Sequence, residues 1–516
     1  MAITSAYVRE NEYYLVDSLR ELFCFTPATY KTQNEADKRL IRYLKELLSR
    51  NILKERSKTN NGDADIEFEK HSDDDLLSPT SSYKFDFVGI VICEDVIAYS
   101  YPKYIGEEKS LPQEAPITEM QQVMQVIEKY SREKAKQDVR DVDLFADIDD
   151  KGTVNTLSVM LFLLEDYAAN GEYEDNAEIL EINGSSDIYW QKTIDETYPI
   201  ISNNRPYYIE LYTRKKISND ASFIKRLHAY VVTQCSNEIE KAGLTAFYSL
   251  PCADISDEEQ DNFGEDDSII NRIEIEMTRT FDDRKKSVLR AMMLYFLSGK
   301  ILVGDTEMHV MGTRSFNLIW EEVCAKVFRS QKDDTVDTIT PHIDYTLINQ
   351  NFDHKPPTLV ELIEKPIWKN YDKRIPTAIP SSTFKPDSLR FENKNTGKSY
   401  TFYILDAKYY CPVWKSKIVN GQEKGYIEGQ PGVEDVAKQY LYYLAYREVL
   451  DRYHVTKVKN YFLMPKRKSD NTIPGFVKLN MLKELGLGVI EVRMLPPNIM
   501  YDNYLNNSTL NLTELH

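Results

Sequence analysis

Several things are missing from this 516-residue sequence, and each absence removes a class of function. Its six cysteines (Cys24, Cys93, Cys235, Cys252, Cys324 and Cys411) contain no C-x-x-C pair, so they suit neither a zinc ribbon nor a disulfide framework. They are expected to be buried thiols. None of the seven histidines stands in H-E-x-x-H or another metal-ligand spacing, which leaves zinc hydrolysis without ligands. His228, inside an apolar helical stretch, is expected to be packed. No apolar run approaches the roughly 18 residues of a membrane span, and MAITSAYVRENEYY lacks a basic segment followed by an apolar one. The expectation is a cytoplasmic protein without a membrane partner. Gly397-Lys398-Ser399 resembles the end of a phosphate-binding loop, but the pattern needs glycine at 392, where Glu392 stands. Nucleoside triphosphate hydrolysis by this chain is therefore not expected.

Acid is plentiful. The 82 Asp and Glu exceed the 64 Lys and Arg, for a net charge of −18, which argues against a protein that coats nucleic acid. Much of the excess lies in Asp73-Asp74-Asp75 and in the run from Asp254 to Asp267, which read as solvated loops. Residues 401–470 differ, with twelve Lys or Arg against eight Asp or Glu. Local contact with an anionic partner stays open there.

The length is too great for one core and predicts several domains. The fold class expected is α+β and multidomain. An N-terminal α+β domain over 1–120, for binding a partner or DNA, begins with two helices between residues 12 and 50, where leucines recur at spacings of three and four. It continues into a hairpin, YKFDFVGIVICEDVIAYSYPKYI, turning at Glu94-Asp95. A helical middle domain over 121–305 contains TLSVMLFLLEDYAAN, SFIKRLHAYVVTQCSNEIEKAG and RKKSVLRAMMLYFLSG, each closed by Gly or Asn. A C-terminal α/β domain over 306–516 follows. It reads as the helix SFNLIWEEVCAKVF, a proline-punctuated connection over 331–380, and strands around SLRFEN and SYTFYILDAKYY. Then come the long helix VEDVAKQYLYYLAYREVLDRY and strands VKNYFLMPK and GVIEVRML.

One constellation in this last domain carries chemistry. Pro386-Asp387 followed by Asp406-Ala407-Lys408 spells the PD-(D/E)xK pattern of metal-dependent nucleases. A phosphodiester is anionic and resists hydroxide, so carboxylates are needed to hold Mg²⁺ (or Mn²⁺ in its place) against it. Two residues apart on a strand, Asp406 and Lys408 share a face, while Ala407 points away into packing. The bare triplet also occurs at Glu107-Glu108-Lys109 and, with arginine between, at Asp283-Arg284-Lys285. Only Asp406 follows an apolar strand run and has Pro-Asp nineteen residues upstream. Glu321 and Glu322 compete as a further carboxylate from the first helix, and the helical wheel favours Glu321, beside the buried stripe. Gln439 and Tyr443, four apart, share a helix face and are candidate supports of the site, or else members of a tyrosine-rich packing surface. Lys466-Arg467-Lys468, after a strand, would suit backbone phosphates, or simply a solvated loop tip.

With these residues, the sequence resembles the LlaJI family of restriction endonucleases and, more distantly, McrC, the nuclease subunit of McrBC systems. The resemblance rests on Trp320-Glu321, Lys385-Pro386-Asp387, Leu405-Asp406-Ala407-Lys408-Tyr409 and Gln439, with weaker likeness at Phe87-Val88-Gly89, Pro102-Lys103-Tyr104 and Trp190-Gln191-Lys192-Thr193-Ile194. It implies a restriction-endonuclease-like C-terminal domain and cleavage of double-stranded DNA. It also implies a separate McrB-like AAA+ GTPase subunit that recognises and translocates DNA. Two other readings of the same residues are a non-catalytic scaffold that stimulates a motor, and a repair or recombination nuclease acting on branched or single-stranded DNA.

Overall fold

A computed structural model describes residues 3–26, 29–30, 32–56, 65–66, 76–105, 117–137, 156–174, 176–218, 222–248, 250, 252–297, 301–302, 308–339, 356–369, 371, 377–380, 383–393, 400–420, 422–452, 455, 457–467 and 475–512. It is a mixed α+β chain that divides into two compact units. One comprises residues 1–4, 91–97 and 145–311, the other 5–90, 98–144 and 312–516.

The first unit is built on helices Thr156–Asn170, Phe223–Lys241, Asp266–Arg279 and Asp283–Leu297. The sequence pattern anticipates three of these. Thr156–Asn170 is apolar almost all round, and buries Leu157, Val159, Met160, Leu161, Leu163 and Leu164. Arg284 grips Asp166 through Nε and Nη2 at 3.0 and 2.8 Å, tying two helices together. His228 is packed as expected: it is fully buried, and its Nδ1 accepts the Tyr173 backbone N–H at 3.2 Å.

This stretch is not purely helical. Strands Asn176–Ile182, Tyr212–Ser218 and Asp187–Ile188 form a three-stranded antiparallel sheet, and Ile200–Ser202 pairs with Arg205–Tyr207 in a tight hairpin. The hairpin turns on Asn203 and Asn204, both at positive φ, the conformation that a two-residue turn demands and asparagine tolerates. Segments this short and polar lack the apolar period that helix reading depends on.

In the second unit, the two N-terminal helices are Val16–Leu22 and Gln33–Ser49, the latter capped by Thr32, whose hydroxyl accepts the Glu35 N–H at 3.2 Å. The anticipated hairpin is Val88–Cys93 and Val96–Tyr101, turning where Glu94 takes a positive φ. Thr4–Arg9 and Met308–Thr313 are further strands. Gly312 sits so close to its neighbour strand that a Cβ there would fall 2.2 Å from the Val88 carbonyl oxygen and 2.7 Å from the Gly89 Cα. From this strand the chain enters helix Phe316–Val327, which buries Phe316, Ile319, Trp320, Val323, Cys324 and Val327.

A five-stranded mixed sheet follows, in the order Ser388–Asn393, Tyr400–Ala407, Lys457–Pro465, Ile490–Leu495 and Gly475–Val477. Tyr400–Ala407 runs antiparallel to the first strand and parallel to the third. Phe402 to Ala407 are all buried, as expected for a strand covered on both faces. On one face Leu389, Phe391, Phe402 and Ile404 pack against Tyr442, Tyr446 and Leu450 of helix Val433–Arg452. The Tyr446 hydroxyl donates to the Leu359 carbonyl at 2.6 Å, so the ring closes the cluster without stranding its polar atom. Trp320 anchors the earlier helix by donating its indole N–H to the Leu463 carbonyl at 3.1 Å. Antiparallel strands Val413–Val419 and Gln422–Glu428 form a separate exposed ribbon, absent from the sequence-based expectation.

Two outcomes follow. Gly312→Ala should lower unfolding stability by roughly 1–3 kcal/mol in urea titration, because a backbone oxygen cannot step aside for a methyl group. Burial lowers the His228 pKa to about 4. The unfolded chain takes up this proton near pH 6.5, so stability should fall as pH drops from 6.5 towards 4. His228→Gln should flatten that slope in urea midpoints measured across the same window.

Candidate active site

Strand register builds the site. Ser388 pairs with Leu405, and Leu389 with Ile404. One step beyond, Asp387 comes opposite Asp406. Directly opposed residues share a face, here the one carrying Leu389, Phe391, Phe402 and Ile404. Lys408, two residues past Asp406, extends the same row. The strand pair thus brings together the three residues that the sequence singles out.

Their contacts are specific. Lys408 Nζ lies 2.9 Å from Asp406 Oδ2 and 3.4 Å from an oxygen of Asp435. Asp387 Oδ2 accepts the Ala407 backbone N–H at 3.0 Å. The Asp387 and Asp406 carboxyls lie close enough to perturb each other's titration. Asp406 is 3% exposed. Burial first, and the charge of Asp387 second, push its pKa well up, with Lys408 opposing. Burial also raises Asp387, again against the pull of Lys408. For Lys408 burial disfavours charge, yet the three carboxylates around it outweigh that and raise its pKa, so it remains an ammonium.

Glu321 faces this group. Burial and the field of Asp387 raise it to about 7, tempered by Lys408 and Lys332. Glu322 instead pairs with Lys326 at 3.8 Å along its own helix. Among the described residues no three acidic, histidine or cysteine side chains are gathered as a ready-made metal cage. The donor set nonetheless suits a hard divalent cation. The buried Asp406 and half-buried Asp387 carboxylates face each other with their charge incompletely offset, and Mg²⁺ commonly takes only one or two protein carboxylates and keeps its waters.

The remaining candidates divide. Gln439 is fully buried, and its Nε2 reaches the Ile404 and Tyr461 carbonyls of two neighbouring strands at 3.5 and 3.3 Å. It braces the strand that carries Asp406. Tyr443 packs against the apolar clusters on either side of its helix. Its neighbour Tyr442 is the one that senses the acids: burial, Asp406 and Asp387 push its hydroxyl up to about 12, and it donates to the Lys385 carbonyl at 3.3 Å. Lys466 gives its backbone N–H to the Leu495 carbonyl. Arg467 is held by Glu119 through Nε and Nη2, at 3.0 and 2.8 Å. Lys468 lies outside the described residues.

Sequence reading missed Asp435 and a second tier behind Lys408. Asp435 stands one helical turn before Gln439, so the spacing that singles out Gln439 and Tyr443 extends backwards to it. The second tier had no signal. The Tyr409 hydroxyl donates to buried Glu10 at 2.6 Å, and the same Glu10 oxygen accepts the Lys103 backbone N–H at 3.2 Å. The Lys103 ammonium lies 4.2 Å over the Tyr409 ring. Burial raises the Glu10 pKa, with Lys103 and Tyr409 opposing.

An acid–acid–lysine row at the end of a strand can hold a divalent cation against an anionic ester. Residues 87–494 match the LlaJI restriction endonuclease family, and the chain belongs to that family. Over 445 residues it is 27% identical to the type II restriction enzyme BsuMI component YdjA of Bacillus subtilis (strain 168), covering 84% of this chain and 83% of that protein. Among solved structures, the refined half-complex from a tetradecameric assembly of Thermococcus gammatolerans McrB AAA+ hexamers with bound McrC aligns over 98% of this chain and all of that one. That alignment has 10% identity and a TM-score of 0.34. The cryo-EM structure of the Thermococcus gammatolerans McrBC complex aligns over 57% of this chain and 80% of that one, at 8% identity and a TM-score of 0.22. Both superpositions are loose.

The opposed aspartates should cost stability. A carboxyl raised from its ordinary value near 3.8 binds more protons folded than unfolded, so its contribution worsens as pH rises through that window. In EDTA at pH 8, Asp387→Asn should therefore unfold at a higher temperature than the unaltered chain, by an increment worth roughly 1–2 kcal/mol. At pH 4 the difference should vanish. Lower stability at pH 8 would contradict the reading of the pair.

Proposed function

We propose that this chain is the nuclease subunit of a DNA restriction system that defends against phage, cutting phosphodiester bonds of double-stranded DNA in the cytoplasm with Mg²⁺, for which Mn²⁺ would substitute. The observation that carries this is the convergence of Asp387, Asp406 and Lys408 on one sheet face, in a member of a restriction endonuclease family. Its C-terminal part is read as a PD-(D/E)xK restriction-endonuclease-like domain.

Asp387 and Asp406 would hold the cation, with Glu321 assisting. When bound, the cation neutralises phosphate charge and lowers the pKa of an attacking water. Lys408, kept cationic by its acidic neighbours, would orient the water by hydrogen bonding and offset charge that builds on the phosphate oxygens. Asp435 fixes the direction of the lysine from the helix side. Gln439 fixes the strand beneath. In the resemblance to McrC, a separate GTP-hydrolysing AAA+ subunit recognises and moves the DNA, and this chain is assigned the same dependence.

With the partner subunit present, Asp406→Ala and Lys408→Ala should remain folded and lose Mg²⁺-dependent cleavage of plain duplex by about 10²–10⁴-fold. EDTA should abolish cleavage by the unaltered chain, and Mn²⁺ should restore it. Full cutting activity in either variant, or cutting confined to flaps and single strands, would refute the assignment.

A further inference from the structure

The ribbon formed by Val413–Val419 and Gln422–Glu428 has no role in the chemistry above, yet both of its ends lead into the site. Its first strand begins five residues after Lys408. Its second ends seven residues before Asp435, the other carboxylate on that lysine. Residues alternate faces along each strand. Trp414, Ser416 and Ile418 share one face with Glu423, Gly425 and Ile427, and on this side the Trp414 ring lies 3.5 Å from where a Cβ of Gly475 would stand. The ribbon is thereby anchored to the edge strand of the main sheet.

The other face carries Lys415, Lys417, Lys424 and Tyr426. Lys415 pairs with Glu428. Lys417 lies directly opposite Lys424, and among the described residues no carboxylate pairs with either; Lys417 instead rests 5.1 Å from the Tyr426 ring centre. Like charges placed opposite each other weaken a strand pair, and this ribbon has little burial to compensate, its first strand being exposed over six of seven residues. In a chain of net charge −18, folding gives no reason for that arrangement. An anionic ligand does.

We propose that this face is a duplex-DNA contact surface, with Lys417 and Lys424 taking backbone phosphates beside the cleavage site. The proposal rests on the nuclease reading for its choice of anion. A two-stranded ribbon has the width to lie along a DNA groove, and lysines without planar hydrogen-bonding partners set position rather than read sequence.

The test is fluorescence anisotropy of the full chain on a labelled DNA duplex in EDTA, across a salt series. Lys417→Ala/Lys424→Ala should weaken binding about tenfold and reduce the slope of log affinity against log salt by about 2, as loss of two phosphate contacts requires. Lys417→Arg/Lys424→Arg should bind within about twofold of the unaltered chain, since charge is retained. Lys38→Ala/Lys45→Ala, on helix Gln33–Ser49, should change neither quantity. Unchanged affinity and slope in the alanine pair, equal loss in the arginine pair, or no measurable duplex binding by the unaltered chain would each overturn the proposal. A chain that binds through these lysines but cuts nothing with Mg²⁺ and its partner would defeat the nuclease reading and leave the ribbon contact standing. Normal cutting that ignores both lysines would defeat the ribbon contact alone.

Discussion

A buried and a half-buried carboxylate forced to face each other set the terms for everything around them. The antiparallel register that pairs Ser388 with Leu405 leaves Asp387 no position except opposite Asp406, on a strand whose preceding residues Phe402 to Leu405 are covered. Charges so placed repel in a medium that screens them weakly. A fold selected for stability alone would fill those positions with valine or leucine. Keeping the acids means keeping something cationic beside them, and the chain supplies part of it with Lys408.

The surroundings answer that demand in layers. Asp435 holds the lysine from the helix, so the ammonium sits among carboxylates and stays charged despite burial. Gln439 bridges the backbone of two neighbouring strands, and Tyr442 lies within the field of the acids. Behind the lysine, Tyr409 is tied to Glu10 and lies under Lys103, so residues near the N-terminus help fix a side chain that lies next to Lys408 in the sequence. A buried glutamate is itself costly, and these contacts offset part of that cost.

Basic residues near the site are not equivalent. Arg467, which looks like a phosphate contact when read in sequence, is occupied by Glu119 in a paired grip. Lys417 and Lys424 attract no notice in sequence, because their meaning depends on being placed opposite each other. An acidic protein can thus carry a concentrated basic surface, because what a polyanion feels is local geometry more than the overall balance.

The sequence by itself determined the long apolar elements and singled out the three residues that the strand pair brings together. The strand run before Asp406 and the helix stripe around Trp320 have one dominant period each, and a two-residue spacing on a strand sends Asp406 and Lys408 to one side. The tertiary structure alone decided which groups approach from elsewhere in the chain: Asp435 on Lys408, Glu10 under Tyr409, Tyr442 near Asp406 and Asp387, and Glu119 on Arg467. The short strands between 176 and 218 and the exposed ribbon belong with these. Periodicity records which face of an element is apolar, but it holds no information about the distant partner that the face or its charges will meet.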